Sequence, residues 1–357
     1  MTGPRAPRPY RRTVWGAALA AVAAAILCAF LLFDTAPPAD WQDRKVTVPR
    51  GSRLPEVVTA LREGGVLRRP LVFRTLVYLT LTSRRLHYGE YTFSRPPSTF
   101  EVWQKVYHGD VVTYKVTVPP GANLYDVAAI LKEHSLAEPE AFLAAATSPA
   151  ELERLEIPGG SAEGYLYPET YTIVKPVTPE EILEDMVRMF RMKFSPEMER
   201  KAKASGFSLH QVVTIASIIE KETGIDEEKP LVSAVIRRRL ALGMPLQMDP
   251  TVIYGVKRFD GTVTRKDLRT PGPYNTYTTR GLPPGPIANP GMPALEAALT
   301  PADADYLYFV SRNDGSHAFS RTLEEHNRAV DAFRRASREA ERAGTGATPP
   351  PPPSGPS

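Results

Sequence analysis

Three rhythms of hydrophobic and polar positions run along this chain. The first is an uncharged run of 20 residues from Val14 to Phe33, which as a helix spans roughly 30 Å, the thickness of a bilayer core. The second is a pattern repeated at an offset of 70. Lys45 to Pro49, Gly51, Leu54, Val57, Leu61 and Glu63 recur as Lys115 to Pro119, Gly121, Leu124, Val127, Leu131 and Glu133, ten identities over nineteen positions. Each copy reads as a short strand, a Pro/Gly turn and an amphipathic helix. The helices' apolar faces are Leu54, Val57, Val58 and Leu61 in one, and Leu124, Val127, Ala128 and Leu131 in the other. Between the copies, Leu86 to Phe93 has the aromatic and β-branched mix of a strand. The third rhythm is helical and turn signals in alternation up to about Ala343, with Thr322 to Arg342 as one long charged helix.

These rhythms predict an α+β protein with an N-terminal transmembrane helix, a small α/β module and a larger mixed α+β domain. The expected divisions are 1–13 as a cytoplasmic N-terminus, 14–33 as the span, 34–44 as a linker, 45–114 as the module and 115–343 as the larger domain. Residues 344–357, with five consecutive prolines, read as a disordered tail.

Charge sharpens the membrane reading and excludes another. Of the net +4, all is contributed by Arg5, Arg8, Arg11 and Arg12 before the apolar run; the remainder balances. The positive-inside rule therefore puts the N-terminus in the cytoplasm and the bulk of the chain outside it, at the cell membrane. A nucleic-acid binder would carry its excess charge on the folded part, so nucleic acid is not an expected partner. A cleaved signal peptide is the rival to an anchor, but its apolar core is shorter and ends in an A-x-A-like site, which Thr35 to Ala39 does not offer. Cys28, the one cysteine, lies within the apolar run, which rules out a disulfide framework.

The chemistry concentrates after Ser208. Ser208 with Gln211 three residues on forms a capping-box start, and Gly224 closes the segment. At 100° per residue, Leu209, Val212, Val213, Ala216 and Glu220 share one face, whereas Lys221 and Glu222 point elsewhere. A carboxylate on an apolar face is either paired or held in a dry cleft, where desolvation favours its protonated form and suits it to general acid work. Downstream, Pro250 should restrict Asp249 to an extended conformation. Tyr274 to Tyr277 and Gly281 to Ile287 form a loop dense in aromatic faces and amide edges, which suit a sugar chain's apolar ring faces and hydroxyls. The plainer alternative is that these Tyr and Asn side chains satisfy the loop's own turns.

Together these segments resemble the endolytic murein transglycosylase, or YceG-like, family of membrane-anchored cell-wall lyases. The resemblance rests on Glu163 to Tyr171, Ala216 to Thr223, Gly243 to Gly255 with its Asp249-Pro250-Thr251, Tyr274 to Tyr277, Gly281 to Pro284, Tyr308 to Val310, His317 to Phe319 and Glu325 to Asn327, in that order. It implies that Glu220 is the catalytic acid/base, that the first repeat is a LysM-like module, and that the domain from about 115 cuts nascent peptidoglycan strands beside the synthases, penicillin-binding proteins, that extend them. Gln247, Asp249, Thr251, Tyr254, Tyr274, Asn275, Tyr277, Glu163 and Tyr165 are the candidates for holding the glycan. One departure is Arg238, where the family pattern has Asn.

The implied reaction breaks the β-1,4 bond between N-acetylmuramic acid and N-acetylglucosamine without water, leaving a 1,6-anhydro ring. Two alternatives stay open: a hydrolase pairing Glu220 with Asp249, since attack by water or an enzyme nucleophile uses two carboxylates, and a non-catalytic wall-binding scaffold. No cofactor is expected. A metal site is not expected either, because the six histidines form no HExxH pair and His317 with His326 is too sparse a set.

Overall fold

The computed structural model describes residues 41–256, 263–312 and 314–342, together with scattered positions between 15 and 33. Among the described residues no helix is long and apolar enough to cross a membrane. The expected span at 14–33 lies largely outside them, and the expected tail at 344–357 entirely so. The fold is mixed α+β with small two-stranded sheets, and it divides into two compact units.

The first unit comprises residues up to Lys115 together with Thr172–Val177. Strand β1 (Arg44–Val48) leads through α1 (Leu54–Glu63) and α2 (Pro70–Leu79) to β2 (Gly89–Phe93), and α3 (Thr99–His108) follows. β1 and β2 pair antiparallel, Arg44 opposite Phe93 and Val48 opposite Gly89. Leu54, Val57, Val58 and Leu61 are the buried residues of α1, as the spacing predicts, and they join Val46, Val48, Phe73, Tyr91, Phe93, Val102 and Val106 in one core. The predicted strand from Leu86 is shorter than expected. The His87 N–H bonds the Val106 carbonyl and the His87 carbonyl accepts the Tyr91 hydroxyl, so that stretch is tied to α3 instead of to a neighbouring strand.

The second unit comprises Val116–Tyr171 and the chain from Thr178 on. It holds most of the second copy of the repeat: the end of β3 (Thr113–Thr117) from Val116 on, α4 (Leu124–Glu133), α5 (Pro139–Ala146), α6 (Pro149–Arg154) and the start of β4 (Thr170–Val174) up to Tyr171, a strand that pairs with β3. Leu124, Val127, Ala128 and Leu131 are again the buried face. Both copies thus build strand, helices, strand with the end strands paired.

Next come α7 (Pro179–Lys193), α8 (Pro196–Ala204), α9 (Leu209–Glu222), a 3-10 turn at Asp226–Glu228, α10 (Lys229–Ala241), α11 (Asp249–Gly255), α12 (Arg265–Arg269) and α13 (Met292–Leu299). The β5 (Tyr308–Ser311) and β6 (His317–Ser320) hairpin packs on α14 (Leu323–Arg342), the long helix expected there. α9 sits at the centre, against α8, α10, α11 and α13. Every residue from Val212 to Ile219 is buried, so this helix is enclosed on all sides along its middle and not on a single apolar face. The Ser208 hydroxyl accepts the Gln211 N–H and the Gln211 side chain accepts the Ser208 N–H, the capping box read from sequence.

Candidate active site

Glu220 lies in the last turn of α9 with its side chain 9% exposed, and it is paired. The Lys229 ammonium, at the start of α10, lies 3.4 Å from Oε1, and the Gly291 N–H donates to Oε2 at 2.9 Å. Lys229 is itself buried and divides its charge between Glu220 and Asp226, the latter at 2.8 Å. Both donors to Glu220 stabilise a carboxylate. Gly291 lies close to Glu220 and Pro120, since a Cβ there would stand at contact distance, 3.4 Å, from Glu220 Oε2 and from Pro120. The carboxylate is thus bordered by the start of α10, the entry to α13 and the Pro120-Gly121 turn of the second repeat.

Asn289 fastens that turn. Its Oδ1 accepts the N–H groups of Gly164 and Leu166 at 2.9 and 3.0 Å, and its Nδ2 donates to the Ala122 carbonyl and to Glu163 Oε1 at 2.8 and 3.2 Å. Its own backbone exchanges bonds with Gly121 and Ala122. Fully buried and fully bonded, one amide ties three segments together. Gly164 makes the approach possible: at φ +87°, a Cβ would come within 2.6 Å of Pro286 and 2.7 Å of Val213.

Glu163 is wholly inside this clamp. It accepts from the Leu124 N–H at 3.0 Å and the Tyr254 hydroxyl at 3.0 Å as well as from Asn289. Burial pushes its carboxyl up to about 7, against the pull of those hydrogen bonds. Burial also raises the Tyr254 hydroxyl, and the charge of Glu163 adds to it. Tyr254 and Tyr274 stand with ring centres 4.9 Å apart and ring planes tilted by 58°, both partly exposed.

The other candidates fall into separate groups. Asp249 accepts the Tyr277 hydroxyl, and burial raises its carboxyl while that bond opposes the rise. It belongs with Glu222 and Arg239. Burial first, then the charge of Asp249, pushes Glu222 up to about 8, and its Oε1 is buried with no hydrogen-bond partner among the described residues. Arg239 donates to the carbonyls of Leu307 and Leu246 and to Gln247 Oε1. Glu220 and Glu222 leave α9 about 200° apart, so the Asp249 group stands on the opposite side of the helix from Lys229 and Gly291. The expectation that Asp249 is extended is corrected. Asp249 and Pro250 open α11, where proline suits the first turn, and the extended residue is Met248 at φ −102°, ψ 112°.

Thr251 and Asn275 serve the loops. The Thr251 hydroxyl bonds the Met248 carbonyl and lies 2.9 Å from that of Thr276. Asn275 donates its amide to the carbonyls of Asp267, Leu268 and Thr270 and accepts from the Tyr277 N–H, which leaves no amide hydrogen for a ligand. Tyr165 is buried against Phe190, its hydroxyl 3.1 Å from His210 Nδ1, while His210 Nε2 lies 2.9 Å from the Pro284 carbonyl. Because that carbonyl can only accept, Nε2 carries the proton and Tyr165 donates to Nδ1. Arg238, the departure from the family pattern, is an exposed partner of Asp305 at 2.7 Å. Among the described residues no three His, Cys, Asp or Glu side chains gather as a metal would require.

Sequence reasoning missed Lys229, Asn289, Gly291 and the environment of Glu222. The one available signal was Asn289 itself, a lone polar side chain inside the apolar loop Ile287-Ala288-Asn289-Pro290.

Comparison with known proteins agrees with this arrangement of segments. The sequence profile of the YceG-like family matches residues 46–332. An endolytic murein transglycosylase of Bacillus subtilis (strain 168) is 31% identical over 304 residues, covering 81% of this chain and 84% of that protein. One of Streptococcus pneumoniae serotype 2 (strain D39) is 28% identical over 335 residues, covering 84% of this chain and 60% of that protein. The 2.6 Å crystal structure of a yceG-like protein from Listeria monocytogenes superposes with a TM-score of 0.56 at 32% identity, over 80% of this chain and 98% of that one. The chain belongs to the YceG-like family.

Proposed function

We infer that this protein is a lyase, an endolytic peptidoglycan transglycosylase that cuts the β-1,4 bond between N-acetylmuramic acid and N-acetylglucosamine and leaves 1,6-anhydro-muramyl ends. Relatives named endolytic murein transglycosylase, matching over more than four fifths of the chain, support the reaction class. The observation that carries the mechanism is the setting of Glu220, a nearly buried carboxylate with an ammonium on one oxygen and a backbone N–H on the other.

In this reading Glu220 protonates the leaving glycosidic oxygen. It then takes the proton from the muramyl 6-hydroxyl, which attacks the anomeric carbon of its own ring and closes the anhydro bridge. The substrate supplies its own nucleophile, so one carboxylate suffices. Lys229 and the Gly291 N–H stabilise the anionic form that must accept the second proton. Tyr254 and Tyr274 offer ring faces to the glycan, with Gln247, Asp249 and Tyr277 as further polar contacts, while Glu163, Tyr165, Thr251 and Asn275 shape the walls. A hydrolase pairing Glu220 with Asp249 is disfavoured, because the partners of Asp249 are Tyr277 and Glu222, whose side chain leaves α9 away from Glu220.

The strand-helix-helix-strand order of the first unit supports a LysM-like module. The apolar run at 14–33 behind four arginines supports a single-pass anchor at the cell membrane, with the catalytic part outside the cytoplasm. An enzyme held there reaches strands as they are made, beside the penicillin-binding synthases that elongate them.

The test is digestion of purified peptidoglycan by the full-length protein and by its Glu220→Gln form, with fragments read by mass spectrometry. Anhydro-muramyl ends from the parent, reduced at least about 1,000-fold in the variant, are expected, since a residue that gives and takes the proton is removed. No cleavage by the folded parent would favour the scaffold.

A further inference from the structure

The β5–β6 hairpin presents two unlike faces. Its register sets Phe309 opposite Phe319 and Ser311 opposite His317, with Val310 opposite Ala318 between them. Val310 and Ala318 therefore point one way, into a small core with Val330 and Phe333 of α14. Phe309, Phe319 and His317 point the other way and remain partly exposed. On that face the ring centres of Phe309 and His317 are 5.5 Å apart, Phe309 and Phe319 5.8 Å, and Tyr306 and Phe319 5.6 Å.

His317 is held by a carboxylate. The His317 N–H donates to Glu228 Oε1 at 2.8 Å and its Nδ1 lies 2.7 Å from Oε2, an oxygen that also accepts the Thr223 hydroxyl at 3.0 Å. Burial opposes ionisation of Glu228, but the bonds from His317 and Thr223 hold its carboxyl below the usual range. It is therefore an acceptor, and Nδ1 carries the hydrogen. Nε2 is left directed away from Glu228, with no hydrogen-bond partner among the described residues, on a side chain that is 14% exposed. This is the arrangement by which a carboxylate fixes an imidazole so that its far nitrogen can meet something else.

The pair is continuous with the Glu220 site. Thr223 follows Glu220 by one helical turn, and Glu228 is the chain neighbour of Lys229, whose ammonium meets Glu220. We propose that this face of the hairpin is a glycan subsite adjoining the bond that is cut: a sugar ring lies against the aromatic face of Phe309 and Phe319, and His317 Nε2 hydrogen-bonds one of its hydroxyl or acetamido groups. Ring faces and one oriented polar atom are the combination that binds a hexopyranose. The proposal rests on the peptidoglycan reading given above, and it makes His317 a binding residue whose geometry Glu228 sets.

The two nitrogens can be tested separately, because the glutamine amide mimics Nε2 and the asparagine amide mimics Nδ1. Full-length Glu220→Gln protein, which does not consume its ligand, is titrated with purified peptidoglycan glycan strands alone and with His317→Gln, His317→Asn or His317→Ala added. Retention of affinity within about threefold by His317→Gln, with about tenfold weaker binding for His317→Asn and His317→Ala, is expected. The reverse ranking of Gln and Asn would show that the bond to Glu228 only braces the fold, and equal affinities throughout would show that no glycan touches Nε2; either overturns the proposal. With Glu220 restored, His317→Ala should raise KM about tenfold and leave kcat within about threefold, the mark of lost binding. The two readings fail independently. The expected ranking in a protein that releases no anhydro ends would remove the lyase and keep the subsite, and anhydro ends with a flat ranking would do the opposite.

Discussion

The two copies of the repeat start from the same pattern and end with different duties. Both turns are closed by the same backbone bond, Ser52 N–H to the Pro49 carbonyl and Ala122 N–H to the Pro119 carbonyl, and in the first a Cβ on Gly51 would meet nothing within 4 Å. In the second, the Gly121 carbonyl accepts the Lys221 ammonium at 3.2 Å, the Gly121 N–H donates to Asn289, and Leu124 N–H donates to Glu163. Helix α1 is capped at Arg53 through its backbone and Glu56, whereas α4 is capped by the Asn123 side chain. The apolar spacing is the same in both and gives the same local structure. What turns one turn into a wall of the active site is a few polar side chains arriving from far along the chain.

The largest effect is expected from Lys229→Met. It strips the ammonium from a buried pair and leaves Glu220 with one backbone donor, and breaking such a pair costs about 3–5 kcal/mol in general. Release of anhydro ends should fall about 100-fold, with a lowered melting temperature; activity within threefold of the parent would mean that Lys229 has no part in the chemistry.

Alanine at the two equivalent glycines isolates the difference between the copies. Gly51 and Gly121 have φ of +73° and +79°, so each substitution carries a similar backbone cost of about 1–2 kcal/mol. Gly51→Ala should keep its activity. Gly121→Ala should lose about tenfold at comparable stability, because its turn borders Glu220. Equal losses of activity, measured beside denaturant melts, would refute the division of roles.

A smaller effect is expected from Glu222→Gln. The carboxyl of Glu222 is raised to about 8 in the folded protein from 4.5 when unfolded, so the folded state holds a proton that the unfolded state releases between those values. The stability it contributes is therefore present below about pH 4.5 and is lost as pH rises through about 8. Glutamine keeps the neutral form at every pH, so the variant should melt about 2–4 °C higher than the parent at pH 9, with that advantage shrinking towards pH 5. A melting difference independent of pH would contradict the protonated assignment.

What was legible in the sequence was local. The four apolar positions of α1 and of α4 bury as their spacing says, and the Ser208-Gln211 box starts α9 where it was read. The pairing of β3 with β4 was not legible, since Thr117 meets Thr170 across 53 positions and only tertiary packing brings them together. The partners of Glu220 escaped for the same reason, because Gly291 lies 71 residues away. Asn275 looked like a ligand group by type, but its amide is spent on the end of α12. Residue type names what a side chain can bond, and the fold decides which bonds remain to be made.

The central claim is that Glu220 serves a reaction in which the substrate's own 6-hydroxyl replaces water. Digestion of peptidoglycan by the full-length protein in water enriched in ¹⁸O, followed by mass spectrometry of the new muramyl ends, tests it most directly. The account predicts anhydro ends that contain no ¹⁸O. Reducing ends carrying one ¹⁸O each would mean that water attacks, and would contradict it.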